Sequence, residues 1–261
     1  MTQIRNPAVA GAFYPREPAQ LRAMVTALLG AAAASGPAPK AVIAPHAGYV
    51  YSGPIAASAY ARIARGRDLI RRVVLLGPAH RVGFHGLAAS SADSFATPLG
   101  AVPVDKEALA KVLKLPHVHA RDDAHALEHS LEVHLPFLQQ VLDDFSLLPL
   151  VVGEATPQEV DAVLETLWDG PETLIVVSSD LSHYHDYETA RTLDRATSRA
   201  IEALRPQDIE YDHACGRNPI NGLLYAAHKH GLRATTIDLR NSGDTAGPRD
   251  RVVGYGAYIF E

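Results

Sequence analysis

A chain of 261 residues, 47% hydrophobic and 20% charged, has the make-up of a folded protein with one generous domain, which excludes disorder over its whole length. Its formal net charge of -5 speaks against a nucleic-acid or membrane-surface binder that works by bulk positive charge. The single cysteine, Cys215, excludes an intramolecular disulfide framework and suits a reducing, cytoplasmic setting, while thirteen histidines call for an explanation.

Arg5-Asn6-Pro7 lacks the basic-then-apolar order of a signal peptide. The Ala/Leu-rich stretch Ala23 to Ala34 is too short to span a bilayer and reads as the end of an amphipathic helix starting near Glu17. Ser35 to Pro39 is a short linker. Unbroken apolar runs at Ala41 to Ala44, Val73 to Leu76 and Leu174 to Val177 predict parallel strands buried on both faces, because burial of both faces removes alternation. Helices are expected over Pro54 to Ala64, over the Leu131, Leu135, Leu138, Leu142 periodicity, over Pro157 to Trp168 behind Thr156, and over Glu188 to Leu204. A further helix is expected from Ile220 to Ala227, with Asn218 as N-cap and Pro219 at its first position. Leu147 to Val152, Ala234 to Leu239 and Val252 to Phe260 complete the strands, and Arg240 to Asp250 reads as a mobile loop. Interleaved strands and helices predict one α/β domain over 1–261, a central, mostly parallel sheet flanked by helices.

His46, His80 and His183 each follow one of the three buried runs, in the first turn beyond its carboxyl end. Ligands bind at that edge of open α/β sheets, so three strands would deliver three imidazoles to one place with no local motif. The alternative is three separate histidines, each bonded to a nearby carbonyl. Cys215 stands just before a helix, where a thiol can serve as metal ligand or nucleophile; its alternative is a buried structural thiol. His125-x-x-Glu128-His129 matches an inverted zinc-peptidase pattern, two histidines four apart with a glutamate as base. Alternatively, Glu128, His129 and Glu132 line the rim of the strand-end site and orient its residues.

Ordered segments carry a resemblance: Arg5 to Pro15, Ala44 to Gly53, Leu76-Gly77-Pro78-Ala79-His80, Thr97 to Gly100, Glu128 to Phe137, Ser178 to Tyr184 and Cys215-Gly216. Together they resemble the Memo family, also described as AmmeMemoRadiSam system protein B, similar in fold to LigB-type class III extradiol dioxygenases. The resemblance implies metal ligation by His46, His80 and Cys215, with iron(II) as the ion and copper or zinc as alternatives. It puts His183 in the place of the dioxygenases' acid/base histidine, with Asp180 orienting it and His129 assisting. Tyr49, Glu132 and Tyr184 are then the expected contacts of a small, catechol-like substrate. The dioxygenases carry a glutamate where this chain has Cys215, and a thiolate is the softer, more electron-donating ligand. Eukaryotic members described as signalling effectors imply the alternative of a non-enzymatic adaptor that binds a metal, peptide or protein in the same pocket. Neither nucleic acid nor membrane is an expected partner.

Overall fold

Four apolar strands lie side by side at the centre of the structure, a computed structural model that describes residues 2–261. In chain order the strands are β1 (Ile4–Arg5), β2 (Ala41–Ala44), β3 (Arg72–Pro78), β4 (Leu87–Ala89), β5 (Ser94–Thr97), β6 (Gly100–Pro103), β7 (Val118–Ala120), β8 (Ser146–Val152), β9 (Thr173–Ser178), β10 (His183–His185), β11 (Ala234–Asn241) and β12 (Val252–Phe260). The central four run β2-β9-β3-β8 and are all parallel, with Val42 opposite Val176 and Val74 between Ile175 and Leu148. Their apolar side chains are buried on both faces, as unbroken runs demand. The main sheet continues as β10-β12-β2 on one flank and β8-β4-β7 on the other, with β11 also on β12.

The centre of the sheet is parallel as the sequence predicts, and the sheet becomes mixed at its flanks. β12 runs antiparallel to β2, β10 and β11, and β4 runs antiparallel to β8; among the flanking pairs only β4 and β7 are parallel. The reason for β11 and β12 is the short connection between them, which leaves no room for the crossover that a parallel pair requires. A second small sheet, β1-β5-β6, lies apart and has no strong sequence signal because its strands are two to four residues long.

Helices Pro18–Ala31 and Tyr49–Ile63 pack on each other, as do Pro157–Thr166 and Arg217–Lys229. Thr156 caps its helix as expected, in a reciprocal pair with Glu159. The last of these helices begins two residues earlier than expected. Gly216 is its N-cap, and the Asn218 side chain instead donates to the Gly153 carbonyl at 2.8 Å. The predicted leucine helix is split into a 3-10 turn, Glu132–His134, and a short α-helix, Leu135–Val141. The loop before β12 is tied down rather than loose: Asn241 caps a turn at Ser242–Asp244, Gly247 N–H donates to the Ser242 carbonyl at 2.7 Å, and Tyr187 donates to Asp244 at 2.5 Å. Among the described residues no helix is long and apolar enough to cross a membrane.

Candidate metal centre

β2, β3 and β9 end at the same edge of the parallel core, and the second residue beyond each is His46, His80 and Asp180. His183 comes three residues after Asp180, on β10, which turns back beside β12. Cys215 arrives from the turn before helix Arg217–Lys229. One ligand atom each from His46, His80 and Cys215 lies within 4.8 Å of the others, and the Cys215 Sγ is 3.4 Å from His46 Nε2. The His129 ring adds to the group, 4.8 Å from the His80 centroid and 5.5 Å from that of His46.

Two hydrogen-bond relays fix which ring nitrogen faces the cluster. The Ser178 hydroxyl has one proton and gives it to the Ser130 carbonyl at 2.6 Å, so it must accept from His46 Nδ1–H, also at 2.6 Å. The lone pair of His46 is therefore on Nε2, the atom beside Cys215. At His80 the partner is the Glu128 carboxylate, whose Oε1 accepts from Nδ1–H at 2.9 Å and whose Oε2 accepts from the His80 backbone N–H at 2.6 Å. Burial opposes ionisation of Glu128, but the His80 ring and the N–H groups of His80 and Ser130 outweigh it and hold the carboxyl down at about 2. An ionised Glu128 only accepts, so His80 too keeps its lone pair on Nε2. These are the arrangements by which metal-binding imidazoles are oriented.

Cys215 is placed by backbone. Its N–H donates to the Asp180 carbonyl, and its sulfur accepts from the Asp180 N–H, both at 3.3 Å. Gly216 then passes so close to the Ser178 carbonyl and the Ser179 side chain that a Cβ there would collide with both. Burial and the nearby Asp180 carboxyl push the thiol pKa up, so an incoming ion must displace its proton. Asp180 itself is buried, which raises its pKa, and its Oδ1 accepts the His46 backbone N–H at 2.8 Å.

Burial lowers the imidazoles of His125, His129 and His134 to about 4, 4 and 3, and that of His46 as well. Each therefore contributes stability above pH ~6.5 that is lost as acid protonates the unfolded chain. The raised carboxyls of Asp180 and Asp194 act in the opposite sense. The lowered rings outnumber the raised carboxyls, so unfolding takes up protons and stability falls as the pH drops below ~6.5. Metal-free protein should thus melt progressively lower at pH 7, 6 and 5; a flat profile would show that these rings are charged in the fold.

A cavity of about 490 Å³ opens over the cluster, with His46, His80, His129, Asp180 and His183 on its floor and Phe13, Tyr51, Tyr184 and Tyr255 on its walls. A second cavity, about 530 Å³, borders the other side and shares His80, His183 and Tyr184 while exposing Cys215. Tyr184, expected as a substrate contact, stands at the ridge between them.

Three expectations need correction. Tyr49 does not wall the cavity: its ring packs on Phe137 and Tyr14 in the core, and its hydroxyl donates to the Val133 carbonyl at 2.6 Å. Tyr51, two residues on, takes the place at the wall. Glu132 does not reach the cavity either. Its two oxygens accept from Arg5, the Ala8 and Val9 N–H groups and the Tyr14 hydroxyl, which clamps the N-terminal segment. The peptidase triplet is divided, because helix Asp122–Ala126 ends before Glu128 and the His125 Nε2–H donates to the Ala88 carbonyl at 2.9 Å, beside Phe95. Sequence reasoning missed Ser178 and Ser130, whose contact joins residues far apart in the chain.

Residues 5–259 match the family described as Memo-like protein. A MEMO1 family protein of Aquifex aeolicus is 36% identical over 269 residues, covering 99% of each chain. One from Ignicoccus hospitalis is 34% identical over 281 residues, covering 98% of each. An uncharacterized Escherichia coli K12 protein, JW3007, shares the fold at a TM-score of 0.57 and 14% identity, over 84% of this chain and 98% of its own.

Proposed function

The chain belongs to the Memo-like protein family, and on that footing we propose a metal-dependent oxidoreductase of extradiol-dioxygenase type, in which His46, His80 and Cys215 hold iron(II) beside a small catechol-like substrate. The reading rests on one observation above all: two imidazoles with Nδ1 committed elsewhere converge with a thiol to within 4.8 Å. That donor set fits a transition ion of borderline or soft character, so copper and zinc are the competitors. Such an ion would supply Lewis-acid activation of a catechol-like substrate and of dioxygen.

The chain's own residues then handle substrate and protons. His183, half-buried on the cavity floor, takes the proton of a substrate hydroxyl as general base. Asp180 holds the His46 backbone and offers a carboxyl close to the same space. His129, stacked on His80, bonds the substrate, while Phe13, Tyr51 and Tyr184 flank its ring. Iron-loaded protein under oxygen should cleave members of a catechol panel, and His183→Gln should lower turnover about 100-fold without changing iron content. Absence of turnover across the panel with iron retained overturns the reading. It would favour a binding module instead, which the exposed rings of Tyr184 and Tyr211 at the cavity rims also suit.

A further inference from the structure

The cavity over the cluster has two guanidinium groups at its mouth, Arg81 and Arg251, and among the described residues neither pairs with a carboxylate. Of the arginines in the chain, these are the two that line this cavity. The cavity's own carboxylate, Asp180, lies buried in the floor; Glu154 and Asp212 belong to the neighbouring cavity. Arg251 is also held in place. Its guanidinium lies 4.5 Å from the Tyr184 ring centre, and Tyr184 sits at φ +64, a left-handed backbone that a bulky residue adopts only under constraint. The loop behind it is pinned where Val253 N–H donates to the Ser242 hydroxyl at 3.1 Å. Two unneutralised forks, one of them held over a tyrosine ring, at the entrance of a cavity sized for a small molecule make a receptor for an oxyanion.

We infer that the ligand of this cavity carries an anionic carboxylate or phosphate, bound by Arg81 and Arg251 while its ring lies over the histidine floor. The inference rests on the reading of this cavity as the substrate pocket. It predicts discrimination that a metal site alone does not give, since a neutral catechol and its acid differ at the far end of the molecule.

Calorimetric titration of the metal-loaded protein with 3,4-dihydroxybenzoate, 3,4-dihydroxybenzamide and a catechol phosphate monoester tests it. The acid or the phosphate ester should bind roughly tenfold tighter than the amide, and the tighter of the two identifies the anion. In Arg81→Gln/Arg251→Gln the preference should shrink to within about twofold, with amide affinity unchanged. Equal binding of all three by the wild type overturns the inference, as does a preference that survives in the double variant. Metal content measured on the same samples separates the two readings. Protein that retains its ion but ignores the anion refutes only the arginine receptor, whereas protein that holds no ion yet prefers the anion upholds the receptor and refutes the metal site. Both side chains are exposed, and thermal melting of the variant should match wild type.

Discussion

Glu132→Ala should destabilise the protein by about 3–5 kcal/mol, the range for removing one partner of a buried ion pair. Glu132 is fully buried and accepts from four donors contributed by Arg5, Ala8, Val9 and Tyr14. Arg5 is buried as well and also donates to the carbonyls of His125 and Glu128, so removal of the carboxylate strands a cation among backbone groups. Glu132→Gln, which keeps the shape but not the charge, should cost less. Urea unfolding gives the loss directly as a lower midpoint with little change in slope. An unchanged midpoint together with weakened ligand binding would restore Glu132 to the substrate site, from which its geometry removes it.

Cys215→Ser should weaken metal binding by more than about 100-fold, beyond what outer hydrogen-bonding partners account for. The sulfur is the softest donor of the set and accepts the Asp180 N–H, while the next residue, Gly216, is packed against Ser178 and Ser179. Serine keeps those contacts while removing the thiolate, so the fold should stay as stable as wild type. Ser178→Ala and Glu128→Gln should have smaller effects, roughly 10- to 100-fold, because each leaves the ligand but releases its ring orientation. Metal content after dialysis against a graded chelator ranks the variants. Equal retention by Cys215→Ser and wild type would make the thiol a bystander.

The residues that converge were readable where the strands were. Buried parallel strands appear as unbroken apolar runs, and the turns beyond their carboxyl ends share one edge of the sheet, so His46 and His80 could be placed there from the sequence. Side-chain direction was not readable in the same way. Tyr49 lies only three residues from His46, but it opens a helix whose first turn points it into the core against Phe137 and leaves Tyr51 facing the cavity. Glu132 lies four residues from Glu128, yet a 3-10 turn carries it to the opposite side, toward Arg5. The flank formed by β4 and β7 escaped notice because three-residue strands have too few positions to show a period. The serine relay behind His46 depends on contacts between residues 48 and 132 positions apart, which no local pattern encodes.

The most direct test of the central claim is X-ray absorption at the zinc edge on zinc-loaded protein prepared without oxygen. A site built from His46, His80 and Cys215 gives one sulfur at about 2.3 Å and two imidazole nitrogens at about 2.0–2.1 Å, with the sulfur shell lost in Cys215→Ser. A spectrum made up of nitrogen and oxygen alone, identical in wild type and variant, would contradict it.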